Sequence, residues 1–264
     1  MDPAALSRRI YLARLRRRLR RLPRPRHVAL VMDGNRRWAR QHGYDPSVGH
    51  AHGAEQVHAL LGWCRRYGIG RVTVFVCSTE NLTRRPAAEV EFLLAAMERV
   101  SRPDNVWGID LMGRLDVLPD STRLALKRAA EATAGLTGHR LALAIGYGGR
   151  QEIVDAVRDL LWDARRSGES LDQLARRVEV SDIADRLYAP ALGDVDLIIR
   201  TSGELRLSNF LTWQSAGAEF SFCDTLWPGF REIDFVRARR DFGERRRRHD
   251  AAQDVAPRTD RVTR

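Results

Sequence analysis

The stretch Val28-Ala29-Leu30-Val31-Met32-Asp33-Gly34-Asn35-Arg36-Arg37-Trp38 joins an apolar run of strand length to a short polar loop. In parallel-sheet proteins, a loop that follows a buried strand in this way often binds an anion and its metal ion. Gly34 lets the backbone approach phosphate oxygens, and the guanidinium groups of Arg36 and Arg37 neutralise them through forked hydrogen bonds. Asp33 would repel a phosphate, so it is a candidate Mg2+ ligand. The competing interpretation is a strand-ending turn with solvated charges, because Asp-Gly-Asn is also ordinary turn sequence.

The length and composition of the chain predict a globular protein. Its 264 residues, 44% of them hydrophobic, suffice for a core in one large or two small domains. Cys64, Cys77 and Cys223 form no Cys-x-x-Cys pair, so neither a zinc site nor a disulfide framework is indicated. No apolar run has the length needed to cross a bilayer, and the Arg-rich N-terminus lacks the apolar stretch of a signal peptide. We therefore expect a cytoplasmic protein.

The positive charge is concentrated at the N-terminus. Residues 1–26 hold ten arginines and one acid, which leaves only +2 of the formal +11 for residues 27–264. Leucines at helical spacing, with arginines on the other face, predict a basic amphipathic helix that ends at Pro23. Such a helix either attaches to an anionic membrane surface or packs on the protein with solvated arginines. A nucleic-acid arm is disfavoured because Tyr11 is the only aromatic residue there.

From residue 27 onward, strand-like apolar runs alternate with helix-like stretches. The predicted strands are Val28–Met32, Val72–Cys77, Ile109–Met112, Leu141–Ile145, Val195–Ile199 and Glu219–Phe222, and the predicted helices span 52–67, 87–100, 121–134, 151–166 and 234–248. This alternation predicts a single-domain α/β fold with a central, mostly parallel six-stranded sheet flanked by helices. Because active sites gather at the carboxyl ends of such strands, we expect the loops Asp33–Trp38, Ser78–Arg84 and Arg200–Asn209 to share one edge.

Two of these loops carry further chemical signals. In Arg200–Phe210, two arginines flank a glycine turn, an arrangement that can place both guanidinium groups on one diphosphate. The alternative interpretation is a helix cap with scattered charges. Ser78–Arg84 is rich in groups that orient a substrate, but it also fits a helix N-terminus with a capping box. Glu219 stands at the start of an apolar run, and a buried glutamate is uncommon unless it is paired or metal-bound.

Other phosphate motifs are absent from the sequence. No Gly-x-x-x-x-Gly-Lys-Ser/Thr surrounds Lys127, the only lysine, and Gly146-Tyr147-Gly148-Gly149 lacks the third glycine of a dinucleotide fingerprint. The chain also has no Asp-Asp pair, which excludes the Asp-Asp-x-x-Asp motif of trans-type prenyl synthases.

Taken together, the polar motifs resemble those of the cis-prenyltransferase family, which includes undecaprenyl diphosphate synthase. The motifs are Asp33–Ala39, Ser78–Asn81, Gly146–Arg150, Ile199–Glu204, Arg206–Leu211 and Trp227–Pro228. They occur in the family's order between about His27 and Arg248, and the sequence is most similar to the actinobacterial short-chain branch, the (2Z,6E)-farnesyl diphosphate synthases. The resemblance implies a catalytic domain over 27–249. The helix predicted over 1–26 precedes it, and the polar composition of 250–264 predicts a disordered tail.

The resemblance also implies a role for each matching residue. Asp33 would position Mg2+, with Glu219 supporting the metal from across a homodimer interface, and Asn81 would assist proton loss. The implied substrate-binding residues are Gly34, Asn35, Arg36, Arg37, Trp38, His50, Ser78, Thr79, Glu80 and Arg84, together with Arg200, Arg206 and Ser208 for isopentenyl diphosphate.

The resemblance implies that the length of the prenyl product depends on Val76 and Cys77, where the family's elongation tunnel passes. Longer-chain members often carry alanine at the position of Val76, and Gly146 and Leu82 also differ from their long-chain counterparts. Each isoprene unit adds five carbons, so an open tunnel favours growth by roughly 4 kcal/mol per unit, and a branched side chain in the path removes that gain. We therefore predict a short product, with (2Z,6E)-farnesyl diphosphate made from geranyl diphosphate as the leading hypothesis.

Several alternatives remain within and outside this activity. A long-chain synthase for a cell-wall lipid carrier, and a lavandulyl-type synthase that joins two dimethylallyl diphosphates, are alternative enzymes. A non-catalytic partner subunit of the same fold, or a membrane-surface binding protein, is the alternative outside catalysis. The sequence also departs from the family pattern at two places. Pro46 replaces an arginine, whose contact Arg40 could supply, and Arg248-His249-Asp250 replaces a C-terminal Arg-x-Gly.

Overall fold

The computed structural model describes residues 3–84, 87–101 and 106–255, and its centre is a six-stranded sheet. The strands are β1 (His27–Val31), β2 (Arg71–Ser78), β3 (Trp107–Met112), β4 (His139–Tyr147), β5 (Leu197–Arg200) and β6 (Glu219–Phe222). They lie in the order β3-β4-β2-β1-β5-β6, and every pairing is parallel. All six predicted strands are confirmed, and the sheet predicted as mostly parallel is parallel throughout its described strands.

The helices confirm the predicted alternation and add short segments. They are α1 (Pro3–Leu19), α2 (Asn35–Gln41), α3 (Pro46–Arg66), α4 (Thr79–Arg84), α5 (Ala87–Val100), α6 (Asp120–Ala132), α7 (Gly149–Ser167), α8 (Leu171–Arg177), α9 (Val180–Ala184) and α10 (Glu232–Val255). The helices α2, α4, α8 and α9 were not predicted, since seven residues or fewer are too short to show an apolar period.

The helix α3 begins earlier than the predicted residue 52. Asp45 precedes its first residue, Pro46, and the Asp45 carboxylate accepts a hydrogen bond from the Ser47 amide at 2.9 Å. A carboxylate N-cap followed by proline is a strong helix start, so the cap decides this boundary rather than the apolar pattern.

The register of the sheet brings the predicted loops to one edge. Val31, at the end of β1, pairs with Phe75 on β2 and with Arg200 on β5. The chain leaves each of these strands at the carboxyl edge. Three segments therefore start side by side there: the loop from Asp33, the loop from Thr201 and the helix α4. The expectation that the three polar segments share an edge is therefore confirmed.

The chain forms two compact units, residues 26–230 and a second unit of residues 1–25 with 231–264. In the second unit α1 packs on α10. Arg16 pairs with Glu232 at 2.8 Å, and a Cβ on Gly243 would lie 2.8 Å from the Cβ of Leu22. Leu15, Leu19 and Leu22 are buried, whereas Ile10 nearer the start of α1 is 48% exposed, so only the C-terminal part of the apolar face is covered.

The C-terminal helix is longer than the sequence indicates. It continues to Val255, past the point at which the polar tail was predicted to begin, and the rest of that tail, residues 256–264, lies outside the described residues. None of the helices in the described part of the chain combines the length and the apolar character that a bilayer crossing requires.

Candidate active site

A cleft of about 930 Å³ opens at the carboxyl edge of the sheet. Seven arginines and three carboxylates line it, which gives its wall a net positive charge and suits a highly charged anion. The charged residues are Arg36, Arg37, Arg40, Arg84, Arg150, Arg200, Arg206, Asp33, Glu80 and Glu204.

The backbone of Asp33 is fixed by the neighbouring strand. The Asp33 amide donates a hydrogen bond to the Thr201 hydroxyl at 2.9 Å, and that hydroxyl lies 2.7 Å from the Asp33 carbonyl oxygen, which also accepts from the Trp227 amide at 2.9 Å. Gly34 then turns the chain with φ +110°, and a Cβ there would lie 2.9 Å from the Leu226 side chain and 3.0 Å from its Cα. The sequence needs glycine here because both the backbone angle and the space exclude a side chain.

The Asp33 carboxylate lies among positive groups. Its Oδ2 is 2.9 Å from Nη2 of Arg200, and its Oδ1 is 3.6 Å from Nη2 of Arg37. Burial raises the pKa of Asp33, but the hydrogen bond and charge of Arg200, with the charge of Arg37, outweigh it and leave the pKa below its usual value. Asp33 is therefore ionised at neutral pH and ready to take part in metal binding.

Arg200 connects Asp33 to the following loop. Its side chain is only 4% exposed, and Nη1 donates to the Ser208 hydroxyl at 2.9 Å and to the Arg206 carbonyl oxygen. Arg206 itself is largely exposed and pairs with Glu204 at 2.6 Å. One guanidinium thus joins the two halves of the cleft, while Arg206 stays accessible to an incoming anion.

The opposite wall comes from β2, α3 and α4. The Ser78 hydroxyl accepts a hydrogen bond from the Asn81 amide at 3.1 Å, so the N-cap interpretation of this segment is confirmed while both residues also line the cleft. On α3, Nε2 of the buried His50 lies 3.1 Å from Glu89 Oε1, and Nε of Arg36 lies 3.8 Å from the same oxygen. Glu89 therefore holds two cleft residues in place from α5.

Most sequence-predicted site residues meet in this cleft. The lining includes Asp33, Gly34, Asn35, Arg36, Arg37, His50, Val76, Cys77, Ser78, Glu80, Asn81, Arg84, Arg200, Arg206 and Ser208. Trp38 and Thr79 are not part of this lining, and Trp38 instead stacks on His42 with ring centroids 4.4 Å apart. Glu219 begins β6 opposite Leu197, at the amino end of β5, and so it lies at the other edge of the sheet from the cleft.

Four further polar residues line the cleft, of which only Arg40 was named from the sequence, as a substitute for the arginine missing at Pro46. They are Arg40, Arg150, Glu204 and Asn209. Arg150, Glu204 and Asn209 stand inside the motifs that carry the family resemblance, so their position in those motifs was the available signal. Arg40 is one helical turn after Arg36. Its place in the wall supports the interpretation that it supplies the phosphate contact made by an arginine in family members that lack Pro46.

The donor set of the cleft suits a metal ion that is held jointly by a carboxylate and phosphate oxygens. The described residues contain no group of three or more histidine, cysteine, aspartate or glutamate side chains placed to hold a metal. Mg2+ is commonly held by one or two carboxylates with substrate phosphates and water, and the ionised Asp33 in a diphosphate-sized basic cleft offers such a site.

Comparison with known proteins agrees with the fold and the cleft. The family model described as putative undecaprenyl diphosphate synthase matches residues 31–250. An isoprenyl transferase of Streptomyces fradiae is 52% identical over 259 residues, covering 95% of this chain and 100% of that protein. A (2Z,6E)-farnesyl diphosphate synthase of Mycolicibacterium smegmatis is 45% identical over 248 residues, covering 91% of this chain and 94% of that protein.

A solved structure shows the same architecture. Lavandulyl diphosphate synthase from Lavandula x intermedia, solved with dimethylallyl diphosphate, has a TM-score of 0.75 and 28% identity, covering 83% of this chain and 94% of that one. An all-parallel sheet with a basic cleft at its carboxyl edge, together with these relatives, defines a prenyl-transferring enzyme of the cis type. The chain belongs to the undecaprenyl diphosphate synthase family of prenyltransferases.

Proposed function

We propose that the protein is a short-chain cis-prenyl diphosphate synthase that condenses isopentenyl diphosphate with geranyl diphosphate to give (2Z,6E)-farnesyl diphosphate. Two relatives support a short product by their names, the M. smegmatis enzyme and a short-chain Z-isoprenyl diphosphate synthase of Mycobacterium leprae, which is 45% identical over 229 residues and covers 85% of this chain and 87% of that protein. The observation that carries the proposal is the place of Val76, which lines both the cleft and a small space that adjoins it.

That space is a cavity of about 40 Å³ lined by Met32, Asn35, His50, Gly53, Ala54, Phe75, Val76, Leu93, Met97 and Trp227. At roughly 10–15 Å³ per water-sized group, it has room for about three such groups. Val76 and Phe75 line both the cleft and this cavity, so they stand where a growing chain would enter.

The cleft residues divide the proposed reaction between two diphosphates. Arg36 and Arg37 neutralise the allylic diphosphate as its C–O bond breaks, and Arg200, Arg206 and Ser208 hold isopentenyl diphosphate beside it. The double bond of isopentenyl diphosphate attacks the allylic carbon, and loss of a proton forms the new cis double bond. Asn81, whose backbone is fixed by Ser78, is the proposed aid to that proton loss.

We propose Mg2+ as the cofactor, held by Asp33 and the diphosphate oxygens. When bound, the ion supplies positive charge to the departing diphosphate. The lowered pKa of Asp33 supports this role because the carboxylate needs no deprotonation before the metal binds.

The test is product analysis of Val76→Ala. The purified enzyme, Mg2+ and labelled isopentenyl diphosphate are incubated with dimethylallyl, geranyl or farnesyl diphosphate in turn, and chain length and double-bond geometry are measured. Wild type should give mainly cis-farnesyl diphosphate from geranyl diphosphate, and the variant should give longer products. Val72→Ala, a buried valine of the same strand outside the cleft lining, should lower stability without lengthening the product.

The same assay separates the alternatives. Predominantly long chains from wild type would support the lipid-carrier synthase, and a branched product from dimethylallyl diphosphate alone would support the lavandulyl-type reaction. No turnover with any primer would support the non-catalytic subunit.

We further propose a homodimer that brings Glu219 to the partner's metal site. Phe220 and Phe222 on β6, at the edge of the described sheet, are 36% and 38% exposed. Their rings are stacked with centroids 6.2 Å apart. An exposed apolar sheet edge of this kind is usually covered by another surface.

A peripheral membrane contact through the unit of residues 1–25 and 231–264 is also proposed. This unit carries a formal charge of +12, whereas residues 26–230 carry −1. Because Leu15 and Leu19 of α1 are buried and the unit is strongly basic, the attraction would be mainly electrostatic rather than an insertion of the helix. Cosedimentation with phosphatidylglycerol vesicles, abolished at high salt and absent with phosphatidylcholine vesicles, tests this contact.

A further inference from the structure

We propose that Asn209 is a positioning residue that fixes the Arg200–Leu211 loop on the first turn of α7 and thereby places Ser208 for isopentenyl diphosphate. The proposal rests on the proposed function. Asn209 lines the cleft, but neither the sequence pattern nor the similarity to relatives gives it a role.

The contacts of Asn209 meet the start of α7 at two points. Its carbonyl oxygen accepts a hydrogen bond from the Gly149 amide at 2.8 Å, and its Oδ1 accepts from the Arg150 amide at 2.9 Å. Gly148, the N-cap of α7, has no side chain to accept these hydrogen bonds. Asn209 therefore does from the loop what a capping side chain usually does within a helix.

The loop and the helix approach too closely for ordinary side chains. A Cβ on Gly149 would lie 2.3 Å from the Thr212 hydroxyl, and one on Gly148 would lie 2.8 Å from Nδ2 of Asn209. The pair of glycines is thus explained by docking of the loop.

The docked loop has an unusual backbone. Ser208, Asn209 and Leu211 have φ values of 53°, 63° and 48°. Left-handed conformations are unfavourable for a residue other than glycine, and asparagine tolerates them best. Such a conformation persists only where surrounding contacts enforce it, and the Asn209 hydrogen bonds are suitable contacts.

A second anchor lies just beyond the loop. Nε2 of Gln214 donates to both carboxylate oxygens of Glu152 at 3.1 Å, and Glu152 belongs to α7. Phe210 and Leu211, between the two anchors, are 0% and 1% exposed. The loop is therefore attached to one helix on either side of a buried pair.

The consequence for substrate binding passes through Ser208. This residue precedes Asn209 and accepts the 2.9 Å hydrogen bond from Arg200. Loss of the Asn209 side-chain anchor should free the backbone of Ser208 and weaken isopentenyl diphosphate binding, while the allylic site on the other wall keeps its geometry.

The experiment compares Asn209→Gly, which permits the left-handed backbone but lacks Oδ1, with Asn209→Ala, which lacks both advantages. Binding of isopentenyl diphosphate is measured by calorimetry, and KM is measured for each substrate. We expect Asn209→Gly to weaken isopentenyl diphosphate binding by about fivefold to tenfold, with the allylic KM within about twofold of wild type. Asn209→Ala should weaken the binding of isopentenyl diphosphate further than Asn209→Gly does. Ser170→Ala, which removes the N-cap of α8 (Ser170 Oγ to the Gln173 amide, 3.2 Å), is the matched control and should change neither KM.

A double-mutant cycle with Ser208→Ala tests whether Asn209 acts through its neighbour. If it does, Asn209→Gly should add little to the loss caused by Ser208→Ala. Fully additive losses, or unchanged binding in a folded Asn209→Gly protein, would refute the positioning role. Failure of wild type itself to bind isopentenyl diphosphate would instead refute the proposed function.

Discussion

The Arg200 guanidinium shows how much of the site depends on one buried charge. It touches Asp33, Ser208 and the Arg206 backbone, which belong to two loops separated by well over a hundred residues of sequence. A lysine would keep the charge but not the fork of donors that satisfies several acceptors at once. Residue chemistry therefore sets the relative position of the two proposed diphosphate sites.

Gly34 provides a sharp test at the residue scale. Gly34→Ala places a Cβ about 3 Å from Leu226 at a φ of +110°, so both strain and overlap oppose it. We expect a loss of about 2–4 kcal/mol in the free energy of unfolding, measured by urea denaturation, and a large fall in kcat/KM.

Gly43→Ala is its matched control. Gly43 also has a positive φ, +71°, but a Cβ there meets nothing within 4 Å. It should cost only about 1 kcal/mol and leave kcat/KM unchanged. Equal effects of the two substitutions would show that backbone angle alone, and not the space beside Leu226, makes glycine necessary at 34.

Individual residues of the site were predictable where a motif fixed them. Asp33 and Arg200 followed from polar residues placed at the ends of buried strands, and Ser208 followed from the family resemblance of its motif. The role inferred for Asn209 did not, because its hydrogen bonds reach a helix about sixty residues earlier in the chain and leave no local pattern. Trp38 was expected in the cleft from the motif alone, yet its ring packs on His42.

At the element scale, the strands were predicted with good accuracy because each one is a compact apolar run. The burial of every residue of β1 explains why its run is continuous rather than alternating. The short helices α2 and α4 could not be predicted in the same way. Their first turns carry polar residues that line the cleft, and both helices are too short to show an apolar period.

The start of β1 carries a titratable group whose effect on stability can be measured. His27 is buried, with Nε2 2.8 Å from the Thr73 hydroxyl and Nδ1 3.2 Å from the Asp194 carbonyl oxygen. Burial lowers the pKa of His27 from 6.5 to about 4. The unfolded chain therefore binds this proton between pH 6.5 and 4 while the folded protein does not, so stability must fall as the pH falls through that range.

We expect this histidine to account for a loss of about 3 kcal/mol in the free energy of unfolding across the range. His27→Gln should flatten the pH dependence by that amount in urea denaturation. A wild-type slope identical to that of His27→Gln would mean that His27 is charged in the folded protein.

At the scale of the whole molecule, the residues that line the cleft account for most of the proposed chemistry, and Glu219 is the one proposed site residue at the opposite edge of the sheet. It lies at the amino edge of the sheet, away from the cleft of its own chain. The sequence could assign it to the metal by resemblance but could not indicate which copy of the chain it serves.

Subunit complementation resolves this point. Asp33→Asn and Glu219→Gln proteins, each expected to be nearly inactive alone, are mixed, unfolded and refolded together. If Glu219 acts across the interface, a mixed dimer contains one site with both substitutions and one with neither, so activity should rise well above that of either parent. No recovery, with mixed dimers verified by a different affinity tag on each of the two proteins, would place Glu219 in its own subunit's site or outside catalysis.

The control for this experiment is a carboxylate that lines the cleft of its own chain. Glu204 is such a residue, and Glu204→Gln protein is mixed with Asp33→Asn protein in the same way. Each site of that mixed dimer carries one substitution and none is intact. Its activity should therefore equal the average of the two parents.

The close contact of Gly149 with Thr212 has a consequence for exchanging segments between relatives. If the segment around Thr212 were replaced by that of another family member, it would have to pack against a start of α7 that fits a different loop. Even one added methyl group at position 149 would collide with Thr212. The two segments should therefore be inherited, and grafted, as a matched pair. A chimera that carries both from one parent should keep its substrate affinity where a chimera that carries either alone does not.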